Sequence, residues 1–198
     1  MSVLTDRLDD QLTEPEAKSV NGSIKGMWAW TVLRLLLGWS FVWAFIDKMF
    51  GFGFSTCRAA DSSAIDFFCD AAMIRGGSPT YGVLEFGTQG SHTGGLFSWM
   101  APSGPDAINF ADVGFMLALL AGGVALMLGL GTRIAAIGGA ALMMFMFLAL
   151  DVWPETNPVN SSHTIEMVAF LGIATVGPGR FALQSWWDRT FPSMRWLR

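Results

Sequence analysis

The sequence predicts an all-α integral membrane protein, a four-helix bundle with a long external segment between its first and second helices. Three features predict this class: the composition, four apolar stretches, and the positions of Lys and Arg. Of the 198 residues, 52% are hydrophobic and 14% are charged, whereas about 25% of residues in an average soluble domain are charged. About 20 consecutive apolar residues cross the hydrocarbon core of a bilayer. The composition therefore favours lipid as the solvent of this chain.

The first helix is predicted over residues 27–50. Residues 27–46 contain a single charged side chain, Arg34, so this stretch is long and apolar enough to span a membrane. The preceding segment, residues 1–26, is acidic, and it is longer than the short basic start of a cleaved signal peptide. We expect this segment to be cytoplasmic and flexible, and the first helix to stay in the membrane as an anchor.

Three further helices are predicted, at about residues 110–130, 132–150 and 158–176. Asn157 and Pro158 suit the N-cap and the first position of the last one. The second and third have almost no polar face, and buried helices of a soluble bundle would need one to present to water. The third and fourth are joined by a short polar link, and together with the first helix these stretches make up a membrane domain over residues 27–180.

Lys and Arg are unevenly distributed between the two sides of the predicted bundle. The external segment, residues 51–109, contains only Arg58 and Arg75, and the link between the third and fourth helices contains no basic residue. The remaining basic residues near the helix ends are Arg7, Lys18, Lys25, Arg133, Arg180, Arg189, Arg195 and Arg198. Lys and Arg are thus in excess on the side of the two termini, which predicts that both termini are cytoplasmic. The tail, residues 181–198, is then expected to lie at the inner membrane interface.

The two cysteines, Cys57 and Cys69, both fall in the external segment with eleven residues between them. A redox dithiol or a metal pair is one interpretation, but the spacing matches neither C-x-x-C nor a zinc pattern. An oxidising compartment permits a disulfide, so we predict a structural disulfide here. The rest of the segment is rich in Gly, Ser, Pro and Thr and is expected to form short helices and turns.

Polar side chains from three of the predicted helices fall at one depth, near the outer ends. Asp47 and Lys48 end the first helix, Asp112 begins the second, and His163 and Glu166 lie three residues apart on one face of the fourth. Charges within a bilayer are costly, so they are usually paired or functional. These residues are therefore the candidate site.

Helical spacing gives the direction of the charged side chains on the first helix. Lys48 shares a stripe with Arg34, which we expect to face the bundle, whereas Asp47 points elsewhere. Arg34 lies about 20 Å below Lys48 along the helix, and its long side chain is expected to extend toward the inner surface.

Two interpretations of the outer polar cluster remain open. In the first, Lys48 pairs with Asp112 or Glu166, His163 caps its helix, and the network only aligns the helices. In the second, the cluster forms a pocket in which Lys48 and His163 bind an anion or a quinone oxygen. Glu166 or Asp112 then relays a proton.

Four stretches of the chain resemble a known family. They are "LRLLLGWSFVWAFIDKMFGFG", "IRGGSPTYG", "GLGTRIAAIGGAALMM" and "GPGRFALQ", and they are similar to the DoxX-type membrane proteins, which include the DoxD-type subunit of thiosulfate:quinone oxidoreductase. The most diagnostic parts are Arg34, Lys48 and residues 177–180. The resemblance implies a four-helix bundle in the bacterial plasma membrane and quinone-linked sulfur or redox chemistry.

The expected function is that of a subunit of, or a protein associated with, a quinone-linked respiratory or redox complex. The alternative is a quinone-reducing oxidoreductase subunit that acts on thiosulfate or a related small sulfur anion. The candidate catalytic residues are Lys48, His163, Glu166 and Asp112, and the candidate cofactor-binding residues are Arg34 and Asp47. A quinone is the expected ligand, and the bilayer and membrane proteins are the expected partners. No metal site is expected, and the net charge of −4 indicates no nucleic-acid partner.

Overall fold

The computed structural model describes residues 14–58, 64–152, 161–179 and 181–190, and this part of the chain is helical. Within it, extended structure is limited to a single bridge between Arg58 and Ile65. The α-helices are α1 (Glu14–Phe50), α2 (Tyr81–Glu85), α3 (Phe110–Leu128), α4 (Thr132–Met146), α5 (Ser162–Val176) and α6 (Gln184–Thr190).

Three helical stretches are long and apolar enough to cross a membrane. They are Gly26–Phe50 within α1, Phe110–Leu128, and Thr132–Asp151, in which a π-helical turn at Phe147–Asp151 continues α4. The prediction of an all-α chain with membrane-length apolar helices is confirmed for these three. The fourth long helix, α5, is apolar but has 15 residues.

α1 begins at Glu14 and so extends into the segment that was expected to be flexible. Pro15 occupies its first turn, where the missing N–H would have no helical partner in any case. Good helix formers, Glu16, Ala17 and Lys18, follow it. The charged N-terminal part of α1 therefore continues the apolar part as one helix of 37 residues.

α5 starts later than residue 158. Ser161 has extended backbone and is its N-cap, and Ser161 Oγ accepts a hydrogen bond from the Thr164 N–H. In return Thr164 Oγ1 accepts from the Ser161 N–H at 3.0 Å, which completes a reciprocal cap. Residues 153–160, with the expected cap at Asn157 and Pro158, lie outside the described residues, as do Arg180 and residues 191–198 of the tail.

The four long helices α1, α3, α4 and α5 contribute to one apolar core. Its buried residues are Leu37, Phe41, Met116, Leu119, Leu126, Ala136, Ala140, Met143, Phe170 and Ile173. α1 and α3 cross with their backbones in contact at Gly38 and Gly123. A Cβ added to Gly38 would lie 3.1 Å from the Gly123 oxygen, and one added to Gly123 would lie 2.9 Å from the Gly38 oxygen, so neither position has room for a side chain. Close approach at small residues is typical of helix packing in lipid.

The connection between α1 and α3 is made of short helical turns, as the sequence predicts. Besides α2 it contains 3₁₀ turns at Met73–Arg75, Gly87–Gly90, Gly94–Leu96 and Ser98–Met100. The predicted disulfide is confirmed, and it joins Cys57 to Cys69. We call the end of the helices near this connection, where α1 ends and α3 and α5 begin, the disulfide end. The opposite end, where residues 129–131 join α3 to α4, is the hairpin end.

Candidate functional site

Asp47 lies in the last turn of α1 and is completely buried. Its Oδ1 accepts a hydrogen bond from the Phe54 N–H at 2.8 Å. Its Oδ2 accepts from the N–H groups of Ser55 and Thr56 and from Ser55 Oγ, each at 3.0 Å. Both oxygens are therefore occupied by the loop that follows α1. The carboxylate stabilises this turn, and its expected role in binding a cofactor stays a prediction.

Lys48, the next residue, is half-buried. Its ammonium donates to Ser55 Oγ at 3.4 Å and lies 6.0 Å from the centre of the Phe115 ring. Among the described residues, no carboxylate oxygen lies within 4.0 Å of it. The expected ion pair of Lys48 with Asp112 or Glu166 is absent from this part of the chain.

The ammonium of Lys48 reaches a cavity between α1 and α5. The two helices contact each other where Trp30 packs on Gly172 and where the rings of Phe41 and Phe170 lie 5.0 Å apart. Nearer the disulfide end, a cavity of about 530 Å³ lies between them, lined also by α3 and α4. We call it the polar cavity. Its charged or titratable lining residues are Lys48, His163 and Glu166.

Most of the wall of the polar cavity is apolar. Trp39 and Trp43 stack on each other at 5.9 Å on the α1 side, and Phe115, Met143 and Met146 line the α3 and α4 side. Trp39 is 49% exposed at the surface of the helices. The cavity therefore joins an apolar, aromatic wall to a few polar groups, which is the usual form of a small-molecule site.

His163 contacts a residue that the sequence analysis did not single out. Its Nδ1 lies 2.5 Å from Asp151 Oδ2, and both side chains are about one-quarter exposed. Asp151 ends the π-helical turn after α4, and the signal for it was present, because it is the carboxylate that directly follows the apolar run of the third helix. The expected role of His163 as the helix cap is wrong, because Ser161 is the cap.

Glu166 lies one turn further along α5 and is half-buried. It lines the polar cavity with Lys48 and His163. Its carboxylate makes no hydrogen bond or ion pair with another described residue. A carboxylate and an ammonium thus face the same cavity without contact between them.

Asp112 is completely buried and has a different environment from the one expected. Its Oδ1 accepts hydrogen bonds from Ser78 Oγ at 2.8 Å, from the Thr80 N–H at 2.9 Å and from Thr80 Oγ1 at 2.7 Å. Its Oδ2 accepts from the N–H of Asn109, the N-cap of α3, at 2.9 Å. Asp112 therefore holds the loop before α2 on the start of α3. The carboxylate is not a partner of Lys48.

Arg34 lies at the hairpin end, far from the polar cavity, and is 1% exposed. Its Nη2 donates to the Phe181 oxygen at 3.4 Å, and its Nη1 packs on Gly129. The guanidinium thus extends to the hairpin end, but it does not reach the solvent, because Phe181 of the segment after α5 covers it. Of the six predicted polar residues, the structure brings Lys48, His163 and Glu166 to one cavity and places Arg34, Asp47 and Asp112 elsewhere.

Comparison of the chain with family models, with curated proteins and with solved structures finds no match. Membership of the DoxX-type family therefore stays a prediction based on the sequence motifs. The chemistry of the site has to be argued from its own side chains. These are one ammonium, one carboxylate and an imidazole held by a second carboxylate, all around an apolar cavity.

Proposed function

We propose that this chain is a multi-pass membrane protein of the DoxX type that binds a quinone in the polar cavity and belongs to, or associates with, a quinone-linked respiratory or redox complex. The four long helices all span the bacterial plasma membrane, and the connection between α1 and α3 is external. The observation that carries the proposal is the polar cavity, where Lys48 and Glu166 face an apolar space without pairing with each other.

The surface of α5 supports a membrane position for this short helix too. Its outward side chains are apolar, and Ile165, Val168 and Leu171 are 61%, 63% and 46% exposed. α1 exposes Val32, Leu36 and Trp39 in the same way. A helix pair with such faces needs lipid or an apolar partner around it, because a soluble helix presents a polar face to water. The polar cavity between α1 and α5 would then open toward lipid.

A quinone head group fits this chemistry because it is an apolar ring with two oxygen acceptors. The Lys48 ammonium would donate a hydrogen bond to one carbonyl oxygen, and Trp39 and Trp43 would pack on the ring. Reduction of a quinone to a quinol takes up two electrons and two protons. Glu166 and the His163–Asp151 pair are the groups that can deliver protons at the cavity. The electrons would come from a partner in the complex.

Loss of quinone binding in a Lys48→Met variant tests the proposal. Binding of a short-chain quinone to the full-length protein in lipid nanodiscs would be followed by quenching of tryptophan fluorescence. A hydrogen bond from a charged donor contributes about 1.5–3 kcal/mol, so we expect the Kd to rise about ten- to a hundredfold. Arg133→Met is the matched control, because Arg133 is an exposed cation at the hairpin end, and this variant should bind like the parent protein.

Two results would contradict the proposal. One is an unchanged Kd in Lys48→Met. The other is a large fall in melting temperature in Lys48→Met that is restored when Glu166→Leu is added, because such coupling would mean that the two side chains only stabilise the helices. Purification separates the two forms of the proposal. A protein that reduces the quinone alone with thiosulfate as donor is an enzyme subunit, whereas one that is inactive alone and isolated with redox partners is an accessory subunit.

A further inference from the structure

A second cavity lies next to the polar cavity, on the side of α2. It has a volume of about 300 Å³ and lies between α2, α3 and α4. We call it the apolar cavity. Phe115, Leu142 and Met146 line both cavities, so they form the partition between the two, and Lys48 lines both as well.

Among the described residues that line the apolar cavity, Lys48 is the only one with a charged side chain. The remaining wall is aliphatic or aromatic, apart from Thr80. The two nearby buried acids, Asp47 and Asp112, make no direct ion pair with this ammonium, and their oxygens accept hydrogen bonds from loop residues. Glu166 lines the polar cavity and not this one. An ammonium at the end of an apolar space favours an anion that it can pair with.

We infer that the apolar cavity binds a single-chain carboxylate, a medium-chain fatty acid, with its carboxylate on Lys48 and its hydrocarbon chain between α2, α3 and α4. A water molecule takes up about 30 Å³ of the liquid and a methylene group is of similar size, so a cavity of about 300 Å³ has room for one hydrocarbon chain of medium length. Decanoate is therefore the probe of choice.

The inference stands apart from the proposed quinone site, although both use Lys48. Because one ammonium serves both cavities, decanoate and quinone should compete for the protein. The two proposals have separate tests, since decanoate needs the apolar cavity and the quinone needs the polar one.

The test is photolabelling of the full-length protein in phosphatidylcholine nanodiscs with decanoic acid that carries a diazirine near its methyl end. We expect mass spectrometry to find the label in residues 110–118 or 142–146. Unlabelled decanoate should abolish labelling, whereas decanol, which lacks the charge, and acetate, which lacks the chain, should not. Competition by decanol as strong as by decanoate, or a label elsewhere on the chain, would overturn the inference.

Gly114→Leu gives the matched variant. Gly114 lines the apolar cavity and not the polar cavity, and a Cβ there meets no heavy atom within 4 Å. The new side chain should fill the cavity, reduce labelling at least tenfold and leave quinone binding unchanged. Gly138→Leu is the control, because Gly138 is also helical with open space around a Cβ and does not line this cavity. Equal labelling of the Gly114 and Gly138 variants would refute the fatty-acid site in the apolar cavity, and the quinone proposal would be unaffected.

Discussion

Asp47 and Lys48 are adjacent charged residues in an apolar stretch, and their side chains make different contacts in the structure. Successive side chains on a helix point about 100° apart, so Asp47 can bind the following loop while Lys48 lies beside the space between the helices. The Asp47 carboxylate accepts four hydrogen bonds from residues 54–56. Lys48 reaches both cavities. Asp47 therefore anchors the loop, and Lys48 donates to Ser55 Oγ without a direct ion pair to Asp47.

Removal of the Asp47 carboxylate should destabilise the protein. Asp47→Ala removes the charged acceptor of three backbone N–H groups and one hydroxyl, and a hydrogen bond to a charged group contributes about 1.5–3 kcal/mol. We expect a loss of about 3 kcal/mol in the free energy of unfolding, measured by denaturation in mixed micelles, with Asp47→Asn in between because it keeps one acceptor oxygen. Asp70→Ala is the control, since the Asp70 side chain is 95% exposed. Equal stability of the two alanine variants would refute this anchor.

At the scale of elements, the hairpin end shows how the segment after α5 is held. The Leu183 N–H donates to the Leu128 oxygen, and the Gly131 N–H donates to Gln184 Oε1, both at 2.9 Å. Gly129 lies against Arg34 and Ala182 and has a φ of 66°. The α3–α4 turn, the start of α6 and the buried Arg34 on α1 therefore form one packed unit.

Two glycine substitutions should have opposite effects on stability. In Gly129→Ala the Cβ would lie 2.1 Å from Arg34 Nη1 and 2.6 Å from the Ala182 Cβ, and the left-handed backbone alone costs about 1–2 kcal/mol for alanine. Gly138→Ala meets open space within α4 and should gain about 0.5–1 kcal/mol from helix propensity. The melting temperature should thus fall in the first variant and rise in the second. A rise in both would mean that the turn tolerates a side chain.

At the scale of the whole molecule, the exposed surface of the long helices is apolar. α1, α3 and α5 expose large aliphatic side chains along their length, among them Leu36, Leu117 and Val168, each at least 60% exposed. Charged side chains are concentrated near the helix ends and in the connections. This distribution matches a protein surrounded by lipid, in which packing and not the hydrophobic effect holds the helices together.

Cysteine labelling tests the proposed orientation. Ser103 lies in the connection between α1 and α3 and Thr190 ends α6, and both are exposed. In intact cells, a membrane-impermeant maleimide should label Ser103→Cys and should label Thr190→Cys only after lysis, because the positive-inside rule places the tail in the cytoplasm. Cys57 and Cys69 give no background, since they are joined in the disulfide. The reverse labelling pattern would refute the orientation, and with it the external position of the disulfide end.

Properties that depend on neighbours along the chain could be predicted from the sequence. The apolar runs identified three membrane-length helices, because hydropathy and helix length are local properties. The Cys57–Cys69 disulfide followed from two cysteines in one segment. Helical spacing also placed Lys48, His163 and Glu166 at a common level, and these three side chains line one cavity.

Only the tertiary structure decided which polar groups meet. Asp112 and Glu166 were equal candidates for Lys48, but Asp112 is occupied by Ser78 and Thr80, which lie more than thirty residues earlier in the chain. The pairing of His163 with Asp151 likewise depends on how α4 ends beside α5. A sequence shows the depth and the face of a side chain on its own helix. It does not show the rotation of one helix against the next or the path of a connecting loop, because these follow from packing between residues far apart in the chain.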